Sequence, residues 1–509
     1  MFGNIQTKSV LRKVSVALPA PSKQNLKSSS APPAPAQAKK NPIPSPLPQS
    51  VTKSSRPNTP QRKTPSSKSA NGSSKQSLVR KAVKRKASTP PPQWDSSDSD
   101  SGVESDLSFD SARKRVRSSA SSVDSSRTLL DRSHPWQGPP ADYPLAHAAD
   151  LVSSDPKSRP AFREEVATKI ELQYPSNSKR ERFYLADSVE SDGFKSIEDI
   201  GETVRFVCAN YLPAPEAAKA SDEDTGYERR LTRAFKGSEG DPLEYKQVID
   251  EYNELIEKRV KDGTIEKVLA AKHGLSFDWV KRILDQVYSR TVSPYVDSLK
   301  DYQNGTDFVY GELLYALCSE MFKETGLRSD QVFVDLGSGV GNVVLQAALE
   351  IGCESWGCEI MKNPCDLAEL QAEEFSQRAR LWGLSVGKVR LIRGDFLEKK
   401  EIGEVLKRAD VVLVNNQAFG PDLNSKLVDR FLDLKDGAQV ISLKSFKPEG
   451  FEIQERNVND PRHLLKVRKL EYFSNRVSWT DAPGNYYIAT KDPTDLIKFQ
   501  NSLARKRRG

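Results

Sequence analysis

The chain has 509 residues, 77 Lys and Arg against 69 Asp and Glu, a net charge of +8 and 37% hydrophobic residues. That apolar share is low for a compact protein, although the length allows several domains of roughly 100–200 residues. A membrane span is excluded by the absence of any apolar run of about 18 residues. A secretory signal is not expected, because Met1-Phe2-Gly3-Asn4 opens no apolar stretch.

The average conceals an uneven chain. Residues 1–94 hold 18 Lys and Arg, 15 of the 32 prolines and no acid, while the remainder carries 59 basic and 69 acidic residues. So little apolar surface cannot offset the entropy of ordering, and a disordered Pro/Ser-rich basic tail is expected over 1–135. Its clusters (Lys39-Lys40, Arg80-Lys81, Lys84-Arg85-Lys86, Arg113-Lys114-Arg115) suit nuclear import and contact with DNA phosphates. A Ser/Asp/Glu run from Asp95 to Asp110 reads as an acidic phosphorylation segment that partly neutralises them. Five cysteines, at 208, 318, 353, 358 and 365, include no CxxC pair. They read as reduced, buried thiols with no metal site.

Residues 136–300 are expected to form a mostly helical subdomain. Asp241-Pro242 offers an N-cap and a first-turn proline, followed by Leu243, Val248, Ile249, Tyr252, Leu255 and Ile256 at helical spacing. Ser276 caps a second helix bearing Trp279, Val280, Ile283 and Leu284.

From 301 to 500 the pattern becomes α/β. A helix is expected over Gly311–Thr325, then a strand Gln331–Asp335 running into Leu336-Gly337-Ser338-Gly339-Val340-Gly341-Asn342. Further strands are expected at 355–358, 388–392, 410–414 and 438–442, with a long helix over 362–382 and a basic end over 501–509. Alternating strands and helices imply a parallel sheet with ligand chemistry at the strands' carboxyl ends. The glycines follow GxGxG rather than the dinucleotide GxGxxG. Asp335 would repel a pyrophosphate, Glu359 can accept from ribose hydroxyls, and Asp395 with Phe396 can meet an adenine amino group and ring. A sulfonium, amino-acid and adenosine ligand, S-adenosylmethionine, suits these acids.

The ordered motifs Phe308–Leu313, Val334–Asn342, Arg393–Leu397, Val414–Pro421, Val477–Thr480 and Asn485–Tyr487 resemble the disruptor-of-telomeric-silencing family of histone H3 lysine-79 methyltransferases. The resemblance spans about residues 160–500. It implies a seven-strand, Rossmann-like class I methyltransferase sheet instead of a SET fold. The implied substrate is the nucleosome, met through histones H3 and H4 and H2B-ubiquitin surfaces, with DNA on the basic tail. The implied setting is the nucleus, with roles in chromatin regulation, telomeric silencing and the DNA damage response, for a monomer. Carried over by motif, Tyr310, Gly311, Glu312 and Leu313 with Phe333, Val334, Asp335, Leu336, Gly337, Ser338, Gly339, Val340, Gly341 and Asn342 would line the cofactor pocket. Glu359 would hold ribose and Asp395 with Phe396 adenine. Asn415, Phe419, Trp479 and Tyr486 would shape a lysine channel. Leu313 stands where some members have Thr.

The expected reaction is attack of a lysine amine on the sulfonium methyl, with positioning supplying most of the rate and no side chain required as general base. An aromatic channel would lower the amine's ordinary pKa of about 10.4 by desolvation. Three other readings remain: a nucleic-acid methyltransferase on the same sheet, an NAD-dependent oxidoreductase, which the glycine spacing disfavours, and a non-catalytic chromatin adaptor.

Overall fold

A computed structural model describes residues 124–506, apart from 164–166, 192, 237–238 and 303–305. The expected tail over 1–123 lies outside the described residues. Residues 124–135, assigned to that tail from composition, are packed instead. Leu129 and Leu130 are buried, Leu130 bridges Leu384, and the Leu129 carbonyl accepts from the Ser385 amide. The Arg127 guanidinium donates to the carbonyls of Leu349 and Glu350. Three anchoring residues are too few to alter a composition average, so only their docking reveals the boundary.

The amino-terminal layer is mixed rather than simply helical. Helix α1 (Ala148–Ser154), strands β1 (Ser158–Pro160), β2 (Lys169–Leu172), β3 (Glu181–Tyr184) and β4 (Ala186–Ser188) precede α2 (Ser196–Tyr211), α3 (Ala214–Ala220), α4 (Tyr227–Ala234), α5 (Pro242–Lys261), α6 (Thr264–Ala270) and α7 (Phe277–Thr291). The strands form two antiparallel pairs, β1–β4 and β2–β3. At three or four residues each they are too short to stand out from the helices around them, although Lys169–Leu172 does alternate polar and apolar. The caps are as the sequence implies: Asp241 accepts from the Leu243 and Glu244 amides, and Ser276 from Trp279. Leu243, in the first turn of α5, faces solvent.

The second layer contains α8 (Tyr315–Thr325), β5 (Val332–Leu336), α9 (Asn342–Gln346), β6 (Glu354–Glu359), α10 (Lys362–Leu381), β7 (Val389–Arg393), α11 (Lys400–Leu406), β8 (Val411–Val414), α12 (Pro421–Arg430), β9 (Gln439–Ser442), β10 (Leu465–Tyr472), β11 (Gly484–Lys491) and α13 (Thr494–Lys506). One seven-stranded sheet runs β10-β11-β9-β8-β5-β6-β7. Strands β5 to β9 are parallel, and β11 is antiparallel to both its neighbours. The chain leaves β5 toward β6 and β7, then returns to β8 on the other side. Ligands of open α/β sheets bind at such a switch point.

Alternation sorts the β5 side chains. Val332, Val334 and Leu336 join the cluster with Ile402 and Val405 of α11 and Leu427 of α12. Phe333 faces the other way, edge-on to Phe322 of α8 at 5.5 Å. The helix expected from Gly311 begins only at Tyr315. Residues 312–314 are extended because they pair with 476–478: Leu313 bridges Val477, the Leu314 amide donates to Arg476, and the Ser478 amide donates to Glu312.

A buried ion cluster ties the layers together. Arg290 of α7 meets Glu181 at 2.9 Å and Asp199 at 2.6 Å; Arg378 of α10 meets Glu181 and Glu374, each at 2.6 Å; and Arg282 pairs with Asp199. Three arginines balance three carboxylates, as burial demands.

Candidate active site

The glycine loop after β5 reverses sharply. Gly337, Gly339 and Gly341 have φ of 90°, 55° and 89°, a region that side chains disfavour. The amides of Gly337 and Ser338 donate to the Cys358 carbonyl of β6, fixing the loop over the sheet. A Cβ on Gly339 would lie 2.9 Å from Tyr310 Cε2, so the loop's shape also depends on the closeness of that ring.

At the carboxyl ends of β5, β6, β7 and β8 lies a cleft of about 410 Å³. Its walls include Asp335, Gly337, Ser338, Gly339, Val340 and Asn342 from the first strand and loop, and Glu359, Asp395, Phe396, Asn415 and Phe419 from the ends of the next three strands. Tyr310, Gly311, Glu312 and Leu313 close one side. Six carboxylates (Asp307, Glu312, Asp335, Glu359, Asp395, Asp422) face it, against one base, Lys426.

Glu359 is braced: one oxygen accepts the Gly339 amide at 2.9 Å, the other the Ile360 and Met361 amides at 2.8 and 2.7 Å. One Asp395 oxygen accepts the Leu397 amide at 2.7 Å. Both acids therefore shape local backbone while facing the cleft. Burial, then the Glu359 charge, pushes the Asp335 carboxyl up to about 8. Burial also raises Glu312, opposed by hydrogen bonds from Tyr310, Tyr288 and Asn342. Phe396 and Phe419 lie tilted, 6.4 Å apart. Asn415 donates to the Gly311 carbonyl at 3.2 Å, and its buried amide oxygen has no partner among the described residues.

Six of the expected site residues do not form the cleft wall. Phe333, Val334 and Leu336 are strand core, and Gly341 packs against Leu391. Tyr486 is buried in the apolar cluster that also holds Leu313 and Val477, its hydroxyl pushed up to about 12 by burial. Trp479, 39% exposed, lies where a Gly311 side chain would go, 2.7 Å from that Cβ position. Trp479 thus stands against Gly311, Tyr486 shares an apolar cluster with Leu313, and neither ring lines the cleft. The sequence reading did not name Asp307, Phe308, Val309, Val343, Ile360, Met361, Leu397, Leu413, Asp422, Leu423 and Lys426 as site residues. Phe308, Val309 and Leu397 lie within the quoted motifs, and Ile360 and Met361 directly follow Glu359, a signal adjacency alone could have supplied. Asp422, Leu423 and Lys426 depend on which face of α12 turns inward, which no motif encodes.

This strand order, with its antiparallel seventh strand and acid-lined cleft at the switch point, defines a class I methyltransferase fold. Over residues 288–491 the chain matches the family described as Histone methylation protein DOT1. Two similar proteins bear the name "Histone-lysine N-methyltransferase, H3 lysine-79 specific". The Aspergillus fumigatus protein is 50% identical over 82% of this chain and 84% of its own. The Emericella nidulans protein is 54% identical over 71% and 72%. The chain belongs to this family. Among solved structures, an O-methyltransferase from Bacillus cereus aligns at 12% identity over 41% of this chain and 90% of its own, with TM-score 0.26.

Proposed function

We propose that this protein transfers methyl groups from S-adenosylmethionine to the ε-amine of lysine 79 of histone H3 in nucleosomes, in the nucleus. The observation that carries the reading is the convergence of Asp335, Glu359 and Asp395, from three adjacent strand ends, on one cleft. Six carboxylates against one lysine suit a ligand carrying sulfonium and ammonium charges. Bound there, S-adenosylmethionine supplies an activated methyl group. Glu359 would accept the ribose hydroxyls, Asp395 the adenine amino group, Phe396 the adenine face, and Asp335 the donor's amino group. Tyr310, Glu312 and the glycine loop would enclose the amino-acid end.

Asn415 supports the acceptor side. Its unpartnered amide oxygen can take an N–H of the incoming amine, while its NH₂ holds the Gly311 carbonyl. Trp479, half exposed beyond Gly311, suits a channel entrance for an alkyl-ammonium, with Phe419 and Tyr486 as supporting aromatic surface. Excluding water lowers the cost of losing the lysine proton. Positioning then supplies the main acceleration.

The basic residues of 1–94 would hold nucleosomal DNA, and contacts with histone H4 and H2B-ubiquitin surfaces belong to the same reading. A nucleic-acid substrate is disfavoured, since the similar proteins carry a histone-lysine name. The test is transfer of labelled methyl to reconstituted nucleosomes, with mass spectrometry of the product. Label on lysine 79 of H3 is expected. Label on naked DNA or RNA, with none on nucleosomal histones, would replace this reading with the nucleic-acid one.

A further inference from the structure

Tyr288 lies on α7, in the amino-terminal layer, and is not part of the cleft wall. Its hydroxyl nevertheless donates to Glu312 Oε1 at 3.2 Å, the oxygen that Tyr310 reaches at 2.5 Å. The rings of Tyr288 and Tyr310 both pack against the cluster of Val292, Leu299, Val340 and Leu367, which includes one residue of the glycine loop. The Glu312 backbone is held separately: its amide donates to Ser478 Oγ at 2.8 Å and its carbonyl accepts the Ser478 amide at 2.9 Å. Glu312 thus joins Tyr310, the Ser478 segment, Asn342 at the end of the glycine loop and, through Tyr288, α7.

The helix presenting Tyr288 has little freedom. Two positions before it, Gln286 donates to the Tyr174 hydroxyl at 2.8 Å and accepts from Trp382 at 3.0 Å. Two positions after it, Arg290 sits in the buried ion cluster. On a helix, a residue two positions from both lies on the opposite side. The helix is therefore pinned on one side to buried polar partners and presents a phenol to the cleft wall on the other.

We infer that Tyr288 is a positioning residue for the methyl donor, holding the Glu312–Tyr310 pair against the glycine loop so that docking of the amino-terminal layer sets the shape of the donor site. This rests on the methyltransferase reading above. It assigns a role in donor binding to a residue that touches no substrate, and it predicts an effect on affinity separate from the chemical step.

The test is a double-mutant cycle on the full chain, pairing Tyr288→Phe with Glu312→Gln. S-adenosylmethionine affinity would be read by calorimetry, together with thermal midpoint and turnover on nucleosomes at saturating donor. Tyr288→Phe keeps the ring and its packing and removes only the hydroxyl. It is expected to weaken donor binding about tenfold, the scale of one hydrogen bond to a charged group. The thermal midpoint should hold, and saturated turnover should stay within about twofold. With Glu312→Gln already present, the same change should have little further effect on affinity. A wild-type protein that binds no S-adenosylmethionine would remove the methyltransferase reading and this inference with it. Normal wild-type binding with unchanged affinity in Tyr288→Phe, or a Tyr288 effect undiminished beside Glu312→Gln, would overturn this inference alone.

Discussion

Asp335 shows how much a single buried carboxyl can report. Desolvation, with the Glu359 charge second, raises it from 3.8 to about 8, so the folded chain favours the neutral acid. That contribution to stability is fully present below about pH 4 and is lost as pH rises through about 8. A cation entering the cleft favours the ionised form, so donor binding near neutrality should expel a proton. Calorimetry at about pH 7 in buffers of different ionisation enthalpy is expected to register close to one proton released. Asp335→Asn should abolish the buffer dependence; a wild-type protein without it would dissociate Asp335 from the cation. Glu359 calls for a finer substitution than alanine, because its side chain accepts three backbone amides. Glu359→Gln keeps an acceptor and loses the charge, so donor affinity should fall about ten- to a hundredfold with the fold retained. Glu359→Ala should lower the thermal midpoint as well, because the glycine loop loses its brace.

Among the elements, α10 has the most at stake. Arg378 is fully buried between Glu181 of β3 and Glu374 one turn earlier. Removing one partner of a buried cluster leaves charge uncompensated, at a cost of about 3–5 kcal/mol. Arg378→Met is expected to lower unfolding free energy by that amount in a denaturant titration. A loss below about 1 kcal/mol would mean that the cluster is solvated in solution. Residues 312–314 make a different point. Their apolar spacing is compatible with the helix that follows, yet pairing with 476–478 draws them out straight. A partner more than 160 residues away overrides local propensity there, and the cleft gains its wall.

For the whole molecule, charge divides along the chain. Residues 1–123 carry 22 Lys and Arg against six Asp and Glu, leaving the rest net acidic. Such a catalytic region needs a basic segment or local basic patches to hold DNA. Deleting 1–123 should flatten the dependence of nucleosome affinity on salt, each lost phosphate contact removing about 0.9 from the logarithmic slope. Affinity for S-adenosylmethionine should not change. Equal slopes for both proteins would reduce the tail to a targeting segment. Deleting 1–132 is a different experiment, because it also removes Arg127, Leu129 and Leu130 from the core. At about 1.5–3 kcal/mol for each buried leucine, that longer deletion should be clearly less stable.

The residue order alone determined the parallel sheet, the glycine turn, the acids at the ends of three strands and the asparagine after a fourth. Each is a local signal: short continuous apolar runs, glycines where φ turns positive, and polar residues directly after buried strands. It also carried the family, because a long series of short motifs in fixed order is specific where one glycine loop is not. Tertiary structure decided the rest. It sent Phe333, Val334 and Leu336 into the core, since a strand buried on both faces shows no side reserved for ligand. It set Trp479 against Gly311, buried Tyr486 in an apolar cluster, and brought α12 and Tyr288 to the site from elements without a motif. Those placements depend on which helix faces meet and how distant loops pair, and such long-range contacts have no period along the chain.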